Sequence, residues 1–388
     1  MNQKSDDREF VDEGFGEVAD VFRRHFDENL EVGAAVVAYI GDIKVVDISR
    51  GYRDLGRTKP FTSQTPVIVF SSTKGITAIA IHVAISQGLI GYDTPISQVW
   101  PNFGDSGKAS ITLYDTLTHR SGVAIVDDEL LSIQDVTNWD KVIAAIERQR
   151  PIWEPGSRHG YHMRTFGWIH GELLRRLYST SVASAISETV TSPLGVSVAL
   201  EWNDSLEGEI ADVVTDPVAA DVDQLIEMER SAGLAEVSIS AFHGPGRLFA
   251  YDQRWNSLAY RSLAMPSSSA MTSALSLAQI YKGGVFGHNG VRLLSDEIVR
   301  EAIIPRSRGI DEVLGVETAF GMGFALAPML GESLPASAFG HPGAGGSLGF
   351  GDLDARIGFG YAMNRMANAL IDDSRSNALA AALYRVLG

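Results

Sequence analysis

A chain of 388 residues with 45% hydrophobic and 21% charged residues can bury a sizeable core, and its length favours two lobes. The net charge of −16 argues against nucleic acid and anionic membrane surfaces as partners. The absence of cysteine excludes disulfides, thiolate metal sites and a cysteine nucleophile.

Met1 to Phe10 is polar and acidic, without the basic, apolar, small-residue order of a signal peptide. No apolar run reaches the roughly 18 residues that span a membrane. A cytoplasmic protein is therefore expected. Phe10 to Asn29 shows helical spacing through Phe15, Val18, Val21, Phe22 and Phe26. Val32 to Ile40, the Gly41-Asp42 turn and the alternating Lys44 to Gly51 read as a hairpin.

Val67 to Phe70 is a short strand or loop exit that runs into Ser71 to Ser86. This second stretch is apolar or small at nearly every position and stops before Gly88. A helix apolar on all faces is a buried one. Ser110 to Thr118 fits a short capped helix, Asp128 to Gln149 is a helical region, and Thr165 to Leu177 is a strong helix. Residues 180–235 are mixed and acidic, and Asp212 to Glu229 reads as a solvated face. Phe242 to Ser269 is irregular and rich in Gly, Pro, Ser and aromatics; its Phe249, Tyr251 and Trp255 are placed to overhang a cleft. Helices follow at Thr272 to Tyr281 and near Ser295 to Ile304. The strand-like runs Ala319 to Leu326, Ala336 to Gly340, Ser347 to Asp352 and Arg356 to Met363 come next, then the amphipathic Ser374 to Val386.

Strands at both ends and helices between them predict an α+β sandwich. One antiparallel sheet is built from both termini, flanked by helices, with a large helical insert. The expected lobes are residues 1–90 with 290–388, and residues 91–289, with a cleft between them.

The chemistry centres on Ser71 and Lys74. Positions i and i+3 share a helix face, so hydroxyl and amine can touch. The helix N-terminus favours a developing anion at Ser71, and burial pushes the Lys74 amine towards its neutral, basic form. Spacing alone leaves open a capping serine with a snorkelling lysine. Gly345-Gly346-Ser347-Leu348-Gly349 offers a rival nucleophile elbow, but that fold needs an acid and a histidine after the serine. The last histidine is His341, so the order fails. Ser347 is expected on a glycine-rich strand edge where backbone can approach substrate.

With Ser71-Ser72-Thr73-Lys74 in place, the chain resembles the serine β-lactamase-like esterases, the group akin to class C β-lactamases and DD-peptidases. Segments agreeing in order are Leu117-Thr118-His119-Arg120-Ser121-Gly122, Trp153-Glu154-Pro155-Gly156-Ser157 before Tyr161, Pro266-Ser267-Ser268, and Gly340-His341-Pro342-Gly343-Ala344. The resemblance implies a β-lactamase/transpeptidase-like fold and a serine hydrolase. Ser71 would be acylated, Lys74 would be its base, Tyr161 would relay the proton, and the N–H groups of Ser71 and Ala344 would form the oxyanion hole. No cofactor and no metal are implied. In two places the chain departs from the β-lactamase pattern. Met163 replaces the Asn of Tyr-x-Asn, and His341-Pro342-Gly343 replaces Lys-Thr-Gly, so that an imidazole stands where a fixed cation would sit. Met163, His341 and Gly343 are expected at the substrate. Both changes shift the expected activity from β-lactams or peptidoglycan to small, short-acyl esters; β-lactamase, DD-peptidase or amidase activity at the same site, or a catalytically silent binding protein on this scaffold, are the alternatives. The expected partner is a small-molecule ester; homo-oligomerisation is left open. His162 and His119 read as packed, turn-holding histidines, and Trp153, Trp168 and Trp202 as core.

Overall fold

The computed structural model describes residues 8–126, 130–215, 222–367 and 373–388. Its main sheet has six antiparallel strands in the order β1-β3-β2-β11-β10-β9. Three come from the N-terminal end, namely β1 (Arg8–Val11), β2 (Gly33–Ile40) and β3 (Ile43–Gly51). Three come from the C-terminal end, namely β9 (Ala338–Pro342), β10 (Leu348–Asp352) and β11 (Ile357–Met363). They join through β2 and β11, where Val36 faces Tyr361 and Ala34 faces Met363. Smaller pairings involve β4 (Val67–Ile68), β5 (Val198–Ala199) and β6 (Met271–Thr272), and β7 (Ser307–Ile310) with β8 (Glu317–Phe320). This is the α+β architecture that strands at both ends of the sequence predict.

The period of two along β2 explains how the sheet sits between two cores. Ala35, Val37 and Tyr39 enter one apolar cluster, while Ala34, Val36 and Ala38 enter the other. The helix Ala274–Val285 covers the first face. It approaches closely because Gly360 has no Cβ; one there would collide with the Ala274 carbonyl oxygen. The second face is covered by α1 (Gly16–Asp27) and the C-terminal helix Ser374–Leu387, which pack on each other.

The apolar stretch after Phe70 forms α2 (Ser72–Ser86), buried from Ser72 through Ala84 as its composition requires. It lies against the helix Thr165–Tyr178 and against β9. Two local readings are corrected. Phe10 belongs to strand β1, not to the first helix; its backbone pairs with Asp47. A polar, four-residue edge strand carries too little pattern to separate it from the helix that follows. The run read as a strand from Ala319 to Leu326 ends at Phe320, where Gly321 and Gly323 turn the chain.

Candidate active site

Ser71 stands at the junction of β4 and α2. Phe70 just before it has a φ of +43°, a left-handed conformation uncommon for an aromatic residue. Its buried ring is held edge-on by Tyr251 at 5.3 Å and Trp255 at 5.1 Å between centroids. Fixing Phe70 in this way fixes the turn that presents Ser71.

Lys74 is fully buried, and its Nζ lies 3.2 Å from Ser71 Oγ. The amine also donates to the carbonyls of Met163 (2.8 Å) and Ser267 (3.0 Å). Burial holds its pKa well below the ordinary lysine value, and the nearby Arg164 guanidinium lowers it further. A neutral amine has two N–H bonds and one lone pair. Two carbonyls, which can only accept, take the two hydrogens, so the lone pair is directed at Ser71. Met163 therefore contributes a backbone acceptor where the β-lactamase pattern has an Asn side chain.

Tyr161 is buried and lies beside the pair, with its ring centroid 4.8 Å from Lys74 Nζ, and it lines the same cavity as Ser71. Burial raises its pKa above the ordinary tyrosine value, so it is a protonated phenol. The ring stacks with Phe320 at 5.9 Å and with His341 at 5.7 Å between centroids. His341 Nδ1 is 2.7 Å from the Pro342 carbonyl and must donate to it, which leaves Nε2 as an acceptor 3.4 Å from Tyr161 Oη. Burial, with Lys74 nearby, pushes His341 down to about 3, so the imidazole is neutral.

A narrow cavity of about 280 Å3, open solvent at its mouth included, is lined by Ser71, Tyr161, Met163, Tyr251, Leu314, Met329, Pro342 and Ala344. Among the described residues, the larger groove along Arg50, Tyr52 and Arg57 is lined by no serine and no lysine. Among the described residues, the N–H groups of Ser71 and Ala344 donate to no protein acceptor, although both residues border the cavity. They are free to bind an oxyanion.

The structure thus brings Ser71, Lys74, Tyr161, Met163 and Ala344 together. His341 and Gly343 lie behind the wall, because the pleat of β9 and its continuation turns Pro342 and Ala344 to the cavity. The Cβ of His341 sits against Gly75 of α2, and a Cβ on Gly343 would strike Val69 and Ser347. Ser347 is buried and donates to the Val69 carbonyl at 2.7 Å, with Ser72 Oγ at 3.1 Å, so it ties the wall to α2. The strand that follows it, β10, is internal, not at an edge. Gly345 and Gly346 make room for Met366 and for Arg375 with Asp373, not for substrate.

Of the aromatics expected over the cleft, Tyr251 reaches the cavity, while Phe249 and Trp255 are core behind it. Trp168 is core as well. His162 bonds Ser121 and the Gly160 carbonyl, and His119 accepts from the His162 N–H, which makes both turn-holders. The stretch Asp212 to Glu229 is a solvated face only in part. Val213 and Val214 are buried and the helix Val222–Ser231 buries Ile226 alone, while residues 216–221 lie outside the described part.

Sequence reasoning missed Asp311 and Arg164. Buried Asp311 accepts from the N–H groups of Tyr161 (3.0 Å), Val313 (2.9 Å) and Leu314 (2.8 Å) and so fixes two walls of the cavity. Contacts spanning 150 residues leave no local signal.

A family model described as Beta-lactamase matches residues 22–383. The chain belongs to the beta-lactamase family. With that fold and this Ser71–Lys74 pair it is a serine hydrolase. A curated relative, the esterase/beta-lactamase LipL of Mycobacterium tuberculosis, is 28% identical over 356 residues, covering 87% of this chain and 78% of that protein. The crystal structure of a family VIII carboxylesterase superposes with a TM-score of 0.84 at 30% identity, over 98% of this chain and all of the other. A penicillin-binding protein homologue from Caulobacter crescentus gives the same TM-score and coverage at 29% identity. Among the described residues no helix is long and apolar enough to cross a membrane.

Proposed function

We propose that this member of the beta-lactamase family hydrolyses short-acyl carboxylic esters through an acyl-enzyme on Ser71. The observation that carries this reading is the fully buried Lys74, its Nζ 3.2 Å from Ser71 Oγ and its two other contacts carbonyl oxygens, with burial favouring the neutral amine. Ser71 Oγ attacks the ester carbonyl carbon as its proton passes to Lys74 Nζ. The oxyanion receives hydrogen bonds from the N–H groups of Ser71 and Ala344. The C–O bond to the alcohol breaks, and the alkoxide takes a proton from Tyr161, which regains one from Lys74. Water then repeats the sequence on the acyl-enzyme and frees the acid.

Esters fit better than β-lactams. The imidazole at the position of the fixed lysine is neutral and does not line the cavity, so no cation there awaits a β-lactam carboxylate. The narrow cavity, walled by Met163, Leu314, Met329 and Pro342, suits short apolar acyl chains. The similar structure of a family VIII carboxylesterase supports the ester reading, while the relative LipL is named for both activities. Turnover of p-nitrophenyl butyrate that disappears in Ser71→Ala, with little turnover of a chromogenic cephalosporin, is the expected result. Unchanged ester turnover in the variant would contradict it.

A further inference from the structure

Arg164 is 3% exposed, and among the described residues no carboxylate lies within ion-pair distance of it. Its Nη1 donates to Ser268 Oγ (3.0 Å), its Nη2 donates to Tyr251 Oη (3.1 Å), and its Nε has no partner. The guanidinium stacks over Phe249 at 4.8 Å and Tyr251 at 5.4 Å. A buried cation without a counter-ion is costly to the fold, and such groups persist where they are used.

The consequence falls on Tyr251. Its oxygen already accepts from Arg164, so its hydrogen must be donated elsewhere. The acceptor within reach among the described residues is Met163 Sδ at 3.9 Å, a thioether and a weak one. Tyr251 therefore carries a poorly used O–H, polarised by a cation behind it, on the wall that also holds Ser71.

We propose that Tyr251, oriented by Arg164, donates a hydrogen bond to an oxygen acceptor on an arm of the substrate, so that the site selects oxygen-bearing esters over alkyl esters of equal length. This rests on the reading of Ser71 as an ester-cleaving nucleophile. Arg164 acts through Tyr251 and is a positioning residue. A site that presents a buried donor rejects a ligand that leaves it unpaired.

The test uses matched pairs. In the acyl arm, p-nitrophenyl methoxyacetate and 3-methoxypropanoate are compared with butyrate and pentanoate. In the alcohol arm, 2-methoxyethyl butyrate is compared with butyl butyrate by pH-stat. For each pair the ratio of kcat/KM values is measured in the wild type and in Tyr251→Phe, which keeps the ring against Phe70. Intrinsic reactivity cancels between the two proteins. The ratio should fall roughly three- to ten-fold in at least one pair, the worth of one hydrogen bond. A change below three-fold in every pair overturns the proposal and leaves the esterase reading intact. A second measurement needs no variant: normalised to hydroxide-catalysed rates, the wild type should favour a methoxy ester over its alkyl partner, and parity in all pairs overturns the proposal. A folded wild type that turns over none of these esters sinks the Ser71 reading and this one with it.

Discussion

Lys74 Nζ sits 3.2 Å from Ser71 Oγ, while its other two contacts are the carbonyl oxygens of Met163 and Ser267. This cage accepts two hydrogens from the amine and leaves the third direction to the serine. A protonated lysine would fit the same three oxygens, so burial decides which form is present, and the amine is fully buried.

Lys74→Met should therefore lose the chemistry while keeping the shape of the helix. We expect kcat to fall by about 10²–10⁴, the usual weight of one general base, with a much smaller change in KM. Steady-state kinetics on p-nitrophenyl butyrate measures both. A loss confined to KM would assign Lys74 to binding.

The same residue makes stability depend on pH, and the sign follows from proton counting. The folded pKa is depressed below the unfolded value near 10.5. Between the two, the unfolded chain binds one more proton, so stability increases with pH through that window and is lost as pH falls towards the folded pKa. The slope attributable to Lys74 is about 1.4 kcal/mol per pH unit. Denaturant unfolding at pH 8 and pH 9 should show this increment in the wild type relative to Lys74→Met. Equal slopes in the two proteins would mean that Lys74 is charged in the fold.

His341 should stay neutral across the working range, because burial pushes it down to about 3. Its ring resonances should show no titration between pH 5 and 8, and the pH–rate profile should contain no limb that His341→Gln removes. An imidazole titrating near 6.5 would contradict the burial argument.

The wall carrying Ala344 has its own anchor. Arg375 is 3% exposed; it bonds Asp373 at 2.8 Å and Glu31 at 3.1 Å and donates to the Gly345 carbonyl, one residue past Ala344. Removing it leaves two buried carboxylates uncompensated. Arg375→Met should cost about 3–5 kcal/mol in denaturant unfolding and lower kcat as the donor at Ala344 drifts. A cost below 1 kcal/mol would show that the network is not holding this turn.

What could be read in the sequence was what is local. The i, i+3 spacing placed Ser71 and Lys74 in contact, and an all-apolar run placed them on a buried helix. The hairpin of β2 and β3 was visible through its alternation and its Gly-Asp turn. Tyr161 and Ala344 came from the order of motifs, since no spacing links them to Ser71. The pleat of β9 escaped notice: a one-residue parity decides that Pro342 and Ala344, not His341 and Gly343, line the cavity. Arg164 looked like any residue ahead of a helix, because its partners Ser268 and Tyr251 lie 104 and 87 residues away. Asp311 was invisible for the same reason.

The central claim is that Ser71 is acylated by esters. Intact-mass measurement of the protein mixed rapidly with p-nitrophenyl butyrate tests it most directly. We expect a transient mass increase matching one butyryl group, mapped to Ser71 by peptide analysis and absent from Ser71→Ala. Turnover with an adduct elsewhere, or an adduct that persists in Ser71→Ala, would contradict the account.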